Sequence, residues 1–385
     1  MQPLDRLIRH LESEGFRGYD PYDILNSPFP FRAFGTYGAA IATQLHKRNP
    51  INLRPLLGIK KEYNPKGLGL LLYAYSGLQQ LRPHIDYEQQ LTRLFQLISE
   101  RITAGYSGAC WGYHFAWASP GKFLPPFAPS GVVTAFVAKG LYAYYQLTGH
   151  KEAKKLLISA GDFIDRDLAV TTTAEGSCIS YTPFQQDCCY NASLLAAETL
   201  AMVYAINGNE AFRTKAIDAV RFVIHRQHSD GRWNYSLDEK SGAERKQVDF
   251  HQGYVLDSIN AIEQLTGSSI PGAGDAVRKG LEFYRSQQFT AEGQSLWRYP
   301  KRFPVDIHNQ AQGIITFSKQ RKLNPDYPVF AAKIADWTLY SMFDQKKGYF
   351  YYRKYPFFTN RIPFVRWSNA WMLVALVELA MRKDS

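Results

Sequence analysis

The sequence predicts an all-α chain folded as an (α/α)6 toroid, and three observations carry that prediction. Apolar, small-residue-rich helices begin near Pro65, Ser130, Tyr190, Gln252, Asn309 and Trp367, at steps of 65, 60, 62, 57 and 58 residues. After most of them a short turn leads into a second, more charged helix. The turns carry Gly where a helix should stop, as in Leu147-Thr148-Gly149-His150, Ile206-Asn207-Gly208-Asn209 and Leu265-Thr266-Gly267. A repeat of this length buries its apolar face only by stacking on its neighbours. The six apolar helices therefore form an inner ring, and the amphipathic ones face solvent outside it.

Taken in order, residues 1–62 are the least regular part. An amphipathic helix is expected over 4–14 and another over 33–47, separated by the turn-rich Asp20-Pro21-Tyr22-Asp23 and Ser27-Pro28-Phe29-Pro30. This segment supplies the sixth outer helix and closes the ring, so 1–62 and the toroid of 63–385 make one domain. Inner helices are expected at 65–82, 130–147, 190–206, 252–266, 309–320 and 367–382. Outer helices are expected at 87–101, 151–165, 210–226, 275–287 and 329–343. Extended strands are mostly absent, apart from short hairpins in the loops. Each long loop joins the end of an outer helix to the start of the next inner one. All such loops gather at one mouth, where the positive ends of the inner helices suit an anionic ligand.

Two loops lead into the same phrase. Val248-Asp249-Phe250-His251-Gln252 follows Trp233-Asn234-Tyr235, and Val305-Asp306-Ile307-His308-Asn309-Gln310 follows Trp297-Arg298-Tyr299. Asp at a helix start is a common cap. A cap alone does not require His two residues on, twice, at neighbouring positions of one rim. Asp187-Cys188-Cys189-Tyr190-Asn191 precedes the pair around the mouth, and Arg366-Trp367-Ser368-Asn369 follows it.

Composition narrows the ligand. Tyr, Phe and Trp make up 15% of the chain, much of it in loops such as Trp111-Gly112-Tyr113-His114-Phe115-Ala116-Trp117, which suits a cleft lined with stacking surfaces for sugars. The net charge of +11 favours a polyanionic partner. Nucleic acid is not expected, since no recognition motif accompanies the basic residues. The phosphate loops G-x-G-x-x-G and G-K-[ST] are absent. Four Cys, two of them adjacent, give neither a disulfide framework nor a metal-ligand spacing. Neither a metal nor a cofactor is expected. The charged N-terminus and the lack of a bilayer-spanning apolar run lead to the expectation of a cytoplasmic protein; oligomeric state is not legible.

The helical hairpins, the W-x-Y loops and the polar inner-helix starts resemble the six-hairpin carbohydrate-active superfamily over residues 63–385. That group includes glycoside hydrolases, unsaturated-uronyl hydrolases, N-acylglucosamine 2-epimerases, and the toroid domains of uronate lyases and glucuronyl C5-epimerases. The tail, Tyr349-Phe350-Tyr351-Tyr352-Arg353 through Arg361 to Arg366-Trp367-Ser368-Asn369-Ala370-Trp371-Met372, looks most like the C5-epimerases, and similar chains accompany bacterial surface-polysaccharide genes. The resemblance implies proton transfer by tyrosines and an acid; Tyr351 and Tyr352 are what the tail offers, and no Glu stands beside them.

The expected chemistry is removal of the C5 proton of a uronate in an acidic oligo- or polysaccharide, as in an epimerase or lyase. His251 and His308 are suited to exchange protons near neutral pH, each oriented by a carboxylate, Asp249 or Asp306. Asn191, Gln252, Asn309, Arg298, Arg353, Arg361 and Arg366 are candidates to hold the sugar carboxylate, with Asn369 beside them. Trp111, Tyr113, His114, Trp117, Tyr190, Trp233, Tyr235, Trp297 and Tyr299 are expected to line the site, with Tyr351 as a further acid or base. A glycoside hydrolase using Asp187, Asp249 and Asp306, or a non-catalytic glycan-binding toroid, remains open. A zinc site from Asp187, the adjacent cysteines and His251 lacks diagnostic spacing, and no D-x-D-D motif supports a terpenoid cyclase.

Overall fold

A computed structural model describes residues 2–119 and 122–383; residues 120 and 121 of the first long loop lie outside it. Helix α1 (Pro3–Ser13) is followed by α2 (Gly35–Arg48) and then by paired helices. These are α3 (Pro65–Leu81) and α4 (Glu88–Ser99), α5 (Gly131–Thr148) and α6 (Lys151–Asp167), and α7 (Tyr190–Asn207) and α8 (Glu210–His225). The series continues with α9 (His251–Thr266) and α10 (Ala273–Gln288), α11 (Ile307–Lys319) and α12 (Asp326–Met342), and ends with α13 (Ala370–Lys383). The odd-numbered helices from α3 to α13 pack side by side, and α13 returns to α3, closing the inner ring. The fold is the (α/α)6 toroid that the sixty-residue period predicts.

Local chemistry explains the boundaries. Asn64 caps α3 by accepting from the amides of Lys66 and Gly67, and Ser130 caps α5. Gly149, Gly208 and Gly267 end α5, α7 and α9 in the left-handed conformation, at φ 69°, 71° and 61°, which a side chain would strain. Helix α1 buries Leu4, Leu7, Ile8 and Leu11, one face of the helix. That face lies beside α13, and Arg82, just past the end of α3, pairs with Asp5 at 2.6 Å. The N-terminal helix thus packs against the last inner helix.

Inner helices approach most closely where side chains are missing. A Cβ on Gly140 of α5 would lie 2.5 Å from the Gly69 carbonyl of α3. Alanine there gains about 1 kcal/mol of helix propensity, but forcing the backbones apart costs about 1–3 kcal/mol. Gly140→Ala is therefore expected to lower the urea midpoint.

The axis of the ring is polar below the mouth. Lys139 meets Glu198 at 2.8 Å, Ser258 donates to Glu198 at 2.7 Å, and Gln312 donates to Asp257 at 2.8 Å. Burial pushes the Asp257 carboxyl up to about 6. One helix start departs from the sequence expectation. Before α13 the chain makes a π turn over Val365–Asn369, where the extra residue aims several side chains inward at once.

Candidate active site

The long loops are anchored by a device repeated around the ring. A polar side chain early in an inner helix accepts a backbone amide from the loop that follows the preceding outer helix. Thr134 accepts from Trp111, Ser193 from Ile179, Gln252 from Trp233, Gln310 from Ser295 and Asn369 from Phe350, at 2.6–3.2 Å. Trp111 and Trp233 are buried, and their indoles donate to carbonyls of the outer helices, Ile98 at 3.0 Å and Val223 at 2.8 Å. These groups set the loops rather than face the mouth. Asn309 likewise gives its amide to the carbonyls of Leu296 and Trp297.

The two V-D-x-H phrases converge on one ring. Phe250 stacks on His308 at 4.1 Å with the planes 10° apart, and its other neighbour is His251 at 4.2 Å. His251 Nδ1 is hydrogen-bonded to Asp249, and Gln247 also donates to that carboxylate at 2.8 Å. Burial pushes the Asp249 carboxyl up, but His251 and Arg298 more than offset this and leave it below the ordinary range. With Nδ1 held by Asp249, the Nε2 of His251 is the nitrogen left to meet a ligand. The side chain of His251 is 19% exposed, and beside it lies a cavity of about 10 Å³ lined by Asn191, Tyr235, Gln247, Asp249 and Gln252.

His308 is deeper. Its Nε2 lies 2.6 Å from the Tyr254 hydroxyl, and Trp371 and Trp367 close over it at 4.6 and 4.9 Å. Burial, reinforced by the charges of Lys66 and Arg366, holds its imidazole well below the ordinary value. The Tyr254 ring meets His251 edge-on at 5.7 Å, so this one tyrosine touches both histidines. Burial also holds this phenol far above its ordinary value, keeping it protonated.

Asp306 both caps α11, accepting the His308 amide at 3.0 Å, and pairs with Arg353 at 2.7 Å and the Trp367 indole at 2.8 Å. Arg353 also covers the Trp297 ring at 4.2 Å. Arg366 lies over Tyr113 and forms two bonds to Asp20, at 2.6 and 2.8 Å. Asp20 begins a strap, running to Ile59, that packs on the first and last rim loops. Tyr22 of the strap packs on Phe115 and Trp367, and buried Arg54 ties Asp23 to the Asp20 carbonyl.

The remaining predicted residues are more dispersed. Tyr235 stacks edge-on against His251 at 4.9 Å, and Arg298 reaches Asp249 at 3.6 Å while staying exposed. Tyr190 donates to Glu244 at 2.6 Å, and His114 is buried against Asn64. Asp187 accepts from the Tyr181 amide, Trp117 sits in a two-stranded hairpin, and Tyr299 donates its amide to Val248. Tyr351 keeps company with Asp344, Tyr349 and Arg361, a different neighbourhood from the two histidines. Cys188 and Cys189 donate to Glu239 and Asn191, and the four cysteines are free thiols.

Two central groups escape the sequence patterns. Tyr254 falls one turn after His251, a spacing that was available to read. Lys66 is the charge in the first turn of apolar α3. Its Nζ sits 4.1 Å from the Phe136 ring centre, 5.4 Å from Trp371 and 5.7 Å from Tyr254. Burial, then Arg366, pushes this amine well down, with Asp20 pulling the other way.

No family model and no curated protein sequence matches the chain. Solved structures do. A cellobiose 2-epimerase from Bacillus thermoamylovorans aligns with a TM-score of 0.67 at 13% identity, covering 84% of this chain and 88% of that one. An unsaturated glucuronyl hydrolase specific for heparin aligns with a TM-score of 0.65 at 13% identity, over 100% and 96% of the two chains. A family 76 glycoside hydrolase (mannosidase) from Bacteroides thetaiotaomicron gives 0.64 at 11% identity, over the full length of both. At these identities the likeness is one of fold, and the fold this chain shares with them is the (α/α)6 toroid.

Proposed function

We propose that the protein is a carbohydrate-active enzyme that moves the C5 proton of a uronate residue in an acidic saccharide, as an epimerase or lyase. The observation that carries this reading is the convergence of the Asp249–His251 pair and the His308–Tyr254 pair on Phe250. His251 Nε2 serves as the base, and Asp249 positions it. The Tyr254 hydroxyl, backed by neutral His308, serves as the acid on the second face of the ring. Arg298 is the cation that receives the sugar carboxylate, which must be neutralised for the adjacent proton to leave, and the buried Lys66 amine is a further donor to it. Binding requires the strap or Trp367 to give way, because the space beside His251 is far too small for a sugar.

One feature favours this over hydrolysis, and two favour an acidic sugar. At the rim Asp306 is committed to Arg353 and Trp367, and Asp249 to His251 and Gln247, whereas a hydrolase needs one carboxyl of its pair held protonated. The carboxyl that burial does raise, Asp257, accepts from Gln312 below the mouth. The names of the fold's solved members span stereochemical inversion and a glucuronyl substrate. The basic rim residues Arg298, Lys301, Arg302 and Arg361 are exposed, and Lys354 is half-buried, which suits an acidic chain in surface-polysaccharide metabolism.

The test is incubation with uronate-containing glycans in deuterated water. Deuterium at C5 marks an epimerase, and an ultraviolet-absorbing unsaturated product marks a lyase. New reducing ends with neither signal would replace this reading with hydrolysis and direct attention to Asp187.

A pH effect follows from His308. Its folded pKa is depressed, so below about pH 6.5 the unfolded chain takes a proton that the folded one refuses. Stability is therefore lost as pH falls through that range. The drop in melting temperature from about pH 7.5 to about pH 5.5 is expected to be smaller in His308→Gln than in the wild type.

A further inference from the structure

Helix α2 is amphipathic in the inverted sense. Its buried positions are small or polar, namely Ala39, Ala40, Thr43 and His46. Its large apolar residues face outward, with Tyr37, Ile41 and Leu45 exposed by 68%, 59% and 66%. Phe34 prolongs this stripe at one end, and Ile51 and Leu56 lie exposed beyond the other. Scattered exposed apolar side chains are normal on a surface, but a continuous stripe of this kind marks a contact.

Its place in the fold says more. Helix α2 packs against the strand Trp117–Ser119 of the first rim loop. Just past its end, the Asn49 carbonyl accepts from Asn360 in the last rim loop at 3.0 Å. The stripe therefore belongs to the mouth side of the toroid. That side also exposes Phe127, Phe184 and Phe357 on three different loops, Phe357 by 97%. Exposed cations lie on the strap and the rim loops as well: Arg48, Lys60, Lys301, Arg302 and Arg361.

We propose that the mouth-side rim seats on an anionic lipid surface, with α2 lying in the interface and Tyr37, Ile41 and Leu45 entering the boundary between headgroups and acyl chains. Charge complementarity selects this occupant. An apolar stripe alone would suit any greasy partner, whereas exposed apolar side chains together with exposed Lys and Arg of the strap and rim loops, on a chain of net charge +11, combine the two forces that hold a helix on an anionic bilayer. The attachment is peripheral, since among the described residues no helix is long and apolar enough to cross a membrane. It rests on α2 and the rim and is independent of the sugar chemistry.

The test is flotation of the full chain with vesicles of phosphatidylcholine alone and of equimolar phosphatidylcholine and phosphatidylglycerol. The wild type is expected to float with the mixed vesicles, and roughly tenfold less with the neutral ones. Ile41→Ser/Leu45→Ser, on a surface that supports no core packing, is expected to reduce flotation by roughly tenfold while keeping the wild-type circular dichroism; Tyr37→Ser serves if the double variant does not fold. No flotation of the wild type with the mixed vesicles overturns the proposal. So does flotation that salt abolishes and the stripe variants leave unchanged, which would be adsorption by charge alone. A wild-type dimer in light scattering that the stripe variants split would assign the stripe to a second copy instead.

Discussion

Replacing His251 by alanine is expected to reduce turnover of a uronate-containing glycan by about 10²- to 10⁴-fold, the range for loss of a general acid or base. It should lower the melting temperature as well, because buried Asp249 then keeps only Gln247 and Arg298 as side-chain partners. The side chain stands at the edge of the mouth, so its removal leaves no core cavity. Asp249→Asn should also slow the reaction, because it disturbs the nitrogen that His251 turns outward. Tyr254→Phe separates the roles of the second pair. It keeps the ring that packs beside Phe136 and Trp371 and removes the hydroxyl. If Tyr254 delivers the proton, C5 deuterium incorporation by this variant falls as steeply as product formation or persists without inversion. Wild-type turnover in both His251→Ala and Tyr254→Phe would sink the proposed mechanism.

The second large effect is on stability. Asp306 and Arg353 are almost fully buried, at 1% and 3% exposure. Removing one partner from such a pair leaves a charge without compensation and costs about 3–5 kcal/mol. Asp306→Ala should therefore melt well below the wild type, and it also frees the Trp367 indole that closes over His308. Asp306→Leu/Arg353→Met removes both charges and should recover much of the loss. Calorimetry on the three proteins decides the matter: a single variant as stable as the wild type would mean that the pair is solvated.

Much of the fold was legible because its cause is local. Each inner helix is apolar on all sides and returns at a fixed step, and Gly149, Gly208 and Gly267 stop their helices by a rule of single-residue geometry. The period also put the two V-D-x-H phrases on neighbouring helices, but that Phe250 stands between the two histidines was not legible. Nor were the partners of the rim residues. An amide at a helix start reads alike whether it faces a ligand or holds a loop, and Gln252, Asn309 and Asn369 hold loops here. Arg366 looked like a free cation because its acid, Asp20, lies 346 positions away and no pattern connects them. Lys66 was passed over as one charge in an apolar run, although its isolation was the signal.

That same separation sets a clock on the birth of the molecule. Synthesis runs at about 5–20 residues per second, so the 346 positions between Asp20 and Arg366 take roughly 20–70 s to emerge. Throughout that interval α1 has no α13 to cover Leu4, Leu7, Ile8 and Leu11, and the strap has no guanidinium to hold it. The ring cannot shut until its last helix leaves the ribosome. Of the ring's elements α1 thus waits longest for its cover, and the nascent toroid is most vulnerable to aggregation and proteolysis there.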